Sequence, residues 1–176
     1  FRHERPQKGR QRQFHQFGTE ALGSSNPALD AETIDLMVSY VRGLGLENCR
    51  LAVNSVGCRK CRPAYIETLT RYLKEREAAF CANCRRRIER NPLRVLDCKV
   101  PDCGQLVESA PRIADNLCPG CADHFEAVKA YLKSISLEFT VSPLLVRGLD
   151  YYTGTVFELY SSDLGAQDAL GAGGRY

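Results

Sequence analysis

The chain has 176 residues, 44% of them apolar and 26% charged, with a formal net charge of +3. That length holds one domain or a core with a small insert, and the composition can bury a core without help from a membrane. No apolar run approaches the length of a bilayer span, and so small a positive excess does not by itself point to nucleic acid.

Residues 1–20 read as a β-hairpin. Phe1 to Glu4 is a short strand, Arg5 to Arg10 a polar loop with Pro6 and Gly9, and Arg12 to Glu20 a longer strand. Alternation puts Phe14, Gln16, Gly18 and Glu20 on one face of that strand. Gln16 and Glu20 together offer donors and acceptors to a polar ligand. Arg2, Arg5, Lys8, Arg10 and Arg12 stand against Glu4 alone, which suits either a polyanion such as ATP or RNA or a solvated loop.

Asp30 is expected to cap a helix running to about Gly45, with Ile34, Met37, Val38 and Val41 at helical spacing. Cys49 to Asn54 reads as a short apolar strand. From about Ser55 to Ser136 the chain becomes charged, cysteine-paired and helical, over 63–79, 82–90 and 122–134. Asn91-Pro92 and Val100-Pro101 read as breaks. The expected organisation is therefore a core over 1–54, an insertion over 55–138 and the core again over 139–176. In that last part Leu144 to Tyr151 and Thr153 to Tyr160 read as paired strands turning near Asp150 to Gly154, and a further strand begins toward Tyr176.

Eight of the nine cysteines fall into close pairs. Cys58 and Cys61, Cys81 and Cys84, and Cys118 and Cys121 are each Cys-x-x-Cys, and Cys98 and Cys103 have four residues between them. Two thiolates on such a turn occupy adjacent tetrahedral positions around Zn²⁺, and two pairs complete a site. Eight cysteines thus allow two structural zinc sites, with sequential and crossed pairing both open. No signal-peptide pattern follows Phe1, which favours metal over disulfides. A four-thiolate site has no open position, so the metal is expected to hold the insertion together and do no chemistry. Cys49 reads as a core residue, His15 as packing on the other strand face, and His124 as lying on a helix surface; neither histidine is assigned to catalysis.

Three ordered blocks carry a resemblance. Phe1-Arg2-His3-Glu4-Arg5-Pro6-Gln7-Lys8-Gly9-Arg10, continuing through Arg12-Gln13-Phe14-His15-Gln16-Phe17-Gly18-Thr19-Glu20, resembles motif 2 of the class II aminoacyl-tRNA synthetases in its histidyl form. Leu145-Val146-Arg147-Gly148-Leu149-Asp150-Tyr151-Tyr152 resembles the first histidine-specific signature, and Gly171-Ala172-Gly173-Gly174-Arg175-Tyr176 the start of the second. The likeness extends between the blocks and covers nearly the whole chain. It implies an α+β fold, the class II antiparallel sheet flanked by helices with a helical insertion, of the histidyl-tRNA synthetases. The implied reaction joins histidine and ATP to histidyl-adenylate, then transfers histidine to the 3′ end of tRNA(His), with Mg²⁺ accompanying the ATP. A cytoplasmic homodimer is implied as well.

The same resemblance implies residue roles. Arg2 and Arg147 would be catalytic, meeting the α-phosphate from opposite sides; Glu4 and Arg10, with Arg2, would bind ATP. Charge develops on the phosphoryl oxygens during adenylation, and the planar arginine fork matches them. Gln16, Glu20, Tyr151 and Tyr152 would bind histidine, Glu20 and Tyr152 through the two ring nitrogens. Gly171, Gly173 and Gly174 would let backbone come close to the ligand. Arg85, Arg86, Arg87 and Arg90 suit either a tRNA-facing surface or a solvated helix face. Two other classes compete: a non-catalytic, histidine-binding regulatory paralogue from histidine biosynthesis, and a zinc module that binds RNA or protein. Both ends read as cut from a longer protein, and this piece alone is expected not to charge tRNA.

Overall fold

The structure, a computed structural model, describes residues 1–3, 5–6, 11–147, 151–164 and 168–176. In chain order it has α1 (Pro27–Gly43), β1 (Cys49–Ser55), α2 (Arg62–Lys74), α3 (Ala82–Arg90), α4 (Pro101–Glu108), α5 (Pro119–Ser134), β2 (Thr140–Val141), β3 (Thr155–Ser161) and β4 (Ala169–Gly174). Single 3₁₀ turns at Glu77–Ala79, Pro92–Val95 and Ile113–Asn116 link the middle helices.

Helix α1 begins one turn earlier than expected. Asn26 is its cap, accepting from the Ala28 N–H at 2.9 Å, and Pro27 supplies the preset first helical φ. Asp30 is thereby freed from capping. The same property of proline turns the break expected at Val100-Pro101 into the start of α4. Residues Gly43 to Gly45 end α1, the last with φ +85°.

The sheet runs β2-β1-β3-β4. β1 and β3 are antiparallel from Cys49 opposite Ser161 to Ser55 opposite Thr155, and β3 pairs antiparallel with β4. The expected antiparallel sheet with flanking helices is present, with one parallel exception. β2 lies parallel to β1, as the long crossover through α2 to α5 permits. Strand β3 has both edges taken, so Leu144 to Arg147 do not form the hairpin partner expected for it. Instead the buried Asn54 side chain donates to the carbonyls of Pro143 and Leu145. The expected strands over 1–20 are also absent among the described residues. Residues 11–25 are non-helical, non-strand and almost wholly exposed, with one backbone bond, from Arg2 N–H to the Arg12 carbonyl at 2.9 Å. A two-stranded ribbon without a sheet to rest on is marginal in water.

Strand alternation divides the packing. Leu51, Val53, Phe157 and Leu159 face α1 and α5, meeting Ile34, Val38, Phe125, Val128 and Leu132. Ala52, Val156 and Leu145 form a smaller cluster, with Tyr152 and Tyr160 against it. A separate core of Tyr65, Leu69, Leu73, Ile88, Val95 and Val107 joins α2, α3 and α4. Helix α5 therefore closes the cysteine-rich stretch by packing back on α1 and the sheet. Among the described residues, no helix is long and apolar enough to cross a membrane.

Candidate active site and metal centres

Arg147 lies at a cleft of about 330 Å³ lined by Arg94, Lys99, Ser142, Glu158, Tyr160 and Asp168, among others. Its Nη1 pairs with Glu158 Oε1 at 3.0 Å. Tyr160 donates to the other carboxylate oxygen at 2.9 Å. Burial first, and then that carboxylate, push the Tyr160 hydroxyl upward. Among the described residues, Arg147 Nε is buried without a hydrogen-bond partner. A buried, unmet donor on a fixed cation is expensive, and an anion is the ligand that satisfies it. Glu158 and Tyr160 were missed in the sequence, although their i, i+2 spacing in an expected strand puts them on one face.

The histidine-site candidates come together in part. The rings of Tyr151 and Tyr152 are 4.9 Å apart, and Tyr151 meets Tyr176 edge-on at 5.7 Å. The Glu20 carboxylate beside Tyr176 holds the Tyr176 hydroxyl above its ordinary value. Burial, followed by the neighbouring Tyr151, raises Tyr152. Glu20, Tyr151, Tyr152 and Tyr176 thus share one polar, aromatic corner, and the sequence had not singled out Tyr176. Gln16 is exposed and lies in coil, so the shared strand face expected for Gln16 and Glu20 does not form. Arg2 is exposed, its guanidinium 5.1 Å from the Phe14 ring centre, and its described contacts stay within its own segment. Glu4 and Arg10 lie outside the described residues, as do Gly148 to Asp150.

The glycines of β4 serve close packing inside the protein. A Cβ on Gly174 would lie 2.8 Å from Tyr152 Cδ1 and 2.9 Å from the Thr155 carbonyl oxygen. One on Gly173 would meet the Phe157 ring at 2.5 Å. The backbone approaches these side chains closely, Tyr152 included.

Asp30, released from capping, collects four elements. It pairs with Arg175 Nη2 at 2.7 Å, His124 Nε2 at 2.7 Å and the Thr155 hydroxyl at 2.7 Å. Its side chain is only 10% exposed, so these partners offset its desolvation. His124 is therefore not the surface histidine expected. Arg175 also donates to the Ser24 and Asn26 carbonyls, which ties the end of β4 to the chain just after Glu20.

The eight paired cysteines form two clusters by nested pairing, neither the sequential nor the crossed arrangement expected. Cys58 and Cys61 meet Cys118 and Cys121, while Cys81 and Cys84 meet Cys98 and Cys103, all sulfurs of a cluster lying within 4.8 Å. The first and last pairs make an outer site around the inner one. Sulfurs stand 3.7 Å (Cys58–Cys61), 3.8 Å (Cys58–Cys118), 3.9 Å (Cys61–Cys121) and 4.0 Å (Cys81–Cys98) apart. Four sulfurs about 2.3 Å from one ion at tetrahedral corners stand about 3.8 Å apart, so the donor set fits zinc. Backbone N–H groups of Cys61 and Lys60 lower Cys58 to about 6, and that of Cys84 lowers Cys81 to about 7. Burial pushes Cys84, Cys103 and Cys121 upward. Each cluster thus pairs a thiol that ionises readily with one or two that burial keeps protonated, a conflict that a divalent cation removes. Cys49, as expected, packs at the edge of the sheet core.

The family model described as histidyl-tRNA synthetase matches residues 1–176. The histidine–tRNA ligase of Syntrophotalea carbinolica is 51% identical over 176 residues, and that of Moorella thermoacetica 53%. Each match covers 100% of this chain and 42% of the relative, so the chain spans less than half the length of these curated relatives. The crystal structure of apo S. aureus histidyl-tRNA synthetase is similar with a TM-score of 0.67 at 36% identity, covering 89% of this chain and 38% of that one.

Proposed function

This chain belongs to the histidyl-tRNA synthetase family, and from that membership we propose that the protein containing it is a histidine–tRNA ligase. The observation that carries the reading is identity of about half over the full 176 residues with proteins of that name. The reaction has two steps. The histidine carboxylate attacks the α-phosphorus of ATP, displacing pyrophosphate and forming histidyl-adenylate. A hydroxyl at the tRNA 3′ end then attacks the acyl carbon, releasing AMP.

Arg147 and Arg2 stabilise the charge that grows on the α-phosphoryl oxygens. The unmet Nε of Arg147 and its anchoring by Glu158 support that role, because a donor already aimed and dry costs no reorganisation during reaction. Glu4 and Arg10 help bind ATP, which enters with Mg²⁺. Glu20, Tyr151 and Tyr152 select the imidazole, with Gln16 toward the α-amino group. The tyrosine corner beside Glu20 supports this assignment. The eight cysteines hold two structural zinc ions within residues 55–138, an insertion between core segments 1–54 and 139–176. Arg85, Arg86 and Arg90 lie exposed on α3, free to face the tRNA, while Arg87 turns back to the Arg94 carbonyl. The protein works as a cytoplasmic homodimer.

Histidine-dependent ATP–pyrophosphate exchange by the full-length protein tests the proposal. Arg147→Lys is expected to lower kcat about 10²- to 10³-fold, the range for losing one transition-state donor. Histidine binding without any exchange in the wild-type protein would overturn the ligase reading in favour of a regulatory binder.

A further inference from the structure

The outer cysteine cluster and the tyrosine corner are joined by one side chain. Past β1, Val56 N–H donates to the Gly154 carbonyl at 2.8 Å, and Gly154 N–H donates to the Gly57 carbonyl at 2.9 Å. The strand end that leads into the first Cys-x-x-Cys is thereby laced to the residues just after Tyr152. Gly57 has φ +65°, and a Cβ there would stand 2.8 Å from the Cys61 sulfur, so the turn is shaped around that ligand. Arg62 follows Cys61 directly and opens α2. Its side chain folds back over the turn, with Nε donating to the Val56 carbonyl at 3.0 Å and Nη2 to the Gly57 carbonyl at 3.1 Å. The same Nη2 donates to the carbonyl of Tyr152.

The other half of the cluster makes a second link. Cys118 and Cys121 open α5, and one turn further His124 reaches Asp30, which also holds Thr155 and Arg175. One half of the outer cluster therefore leads to the Tyr152 backbone and the other to the side chains of Thr155 and Arg175, which flank Tyr152 and Tyr176. Four thiols drawn together cannot keep that geometry as free anions, whereas one zinc ion fixes all four.

We propose that zinc in the Cys58–Cys61–Cys118–Cys121 site acts as a positioning element for the histidine pocket, with Arg62 as the positioning residue that carries its order to Tyr152. The inference rests on the reading of Tyr151 and Tyr152 as histidine-binding. The ion takes no part in the reaction. It sets where the Tyr152 backbone stands, so its loss weakens histidine binding and spares ATP binding.

The test uses the full-length protein, with zinc counted by elemental mass spectrometry and exchange kinetics measured for histidine and for ATP. Wild type is expected to hold two zinc ions per chain. Cys118→Ser is expected to hold one and to raise the histidine KM about tenfold, the lower range for disturbing a metal's supporting contacts, with the ATP KM unmoved. Arg62→Met is expected to keep both ions yet raise the histidine KM alike, which a role confined to metal retention would not produce. Arg71→Met, on an exposed position of the same helix, leaves all values at wild type. An unchanged histidine KM in Arg62→Met overturns the proposal, as does an outer site that holds no zinc or holds iron. If Cys118→Ser does not fold, Arg62→Met decides alone. Two bound zinc ions with no histidine-dependent exchange in wild type would instead defeat the ligase reading on which the proposal stands.

Discussion

The sheet half of the molecule and the cysteine-rich half both bury aliphatic and aromatic side chains, but they are held together by different means. Around the sheet, helices of 17 and 16 residues cross strands that are hydrogen-bonded over long sequence distances. Around the inner cysteines, helices of 13, 9 and 8 residues are joined by 3₁₀ turns, with no strand among the described residues. Helices that short are marginal alone. Their core includes the thiols of Cys84 and Cys103 themselves. A small all-helical unit with little regular hydrogen bonding between its elements depends on cross-links. The sheet half is conditional on its own packing, and the cysteine half on the zinc proposed for it.

Chelation is the strongest way to break that contrast. Zinc removal forfeits metal-binding free energy on the order of 10 kcal/mol per site. Hydrogen exchange should then show α2, α3 and α4 losing protection while β1 and β3 keep theirs. Loss of both halves together would erase the distinction. Leu159→Ala attacks the other side. Leu159 is fully buried between sheet and helices, so a cost of about 2–5 kcal/mol in denaturant stability of the sheet half is expected, with zinc content unchanged.

Asp30→Asn probes the seam between the halves. It removes the charge that holds Arg175 and His124, leaving the buried guanidinium uncompensated, at about 3 kcal/mol. Increased exchange should appear at the start of α5 and the end of β4 together. The smallest effect is expected from Asn26→Ala, about 1 kcal/mol for a lost helix cap, read as a lower melting temperature with both zinc sites intact.

Local signals in the sequence were read well where one short stretch settles its own structure. The periodicity of Ile34, Val38 and Val41, the apolar run before Asn54 and the helices of the insertion all correspond to observed elements. Proline was read too narrowly: Pro27 and Pro101 start helices where a later cap and a break were expected. The alternation of Arg12 to Glu20 suggested a strand, but alternation describes a face and supplies no neighbour to pair with. Leu144 to Arg147 failed for the converse reason, since both edges of β3 are already occupied, by β1 and β4.

The sequence by itself determined the family and the gathering of eight cysteines into two groups of four, because motif order and Cys-x-x-Cys spacing are written along one short stretch at a time. Only the tertiary structure decided that the cysteine sites nest, that Asp30 binds Arg175 instead of capping α1, and that Arg62 reaches Tyr152. The outer-site, Asp30–Arg175 and Arg62–Tyr152 contacts each span 60 or more residues of chain. Which distant groups meet is set by how the helices and strands pack, and no local spacing encodes it.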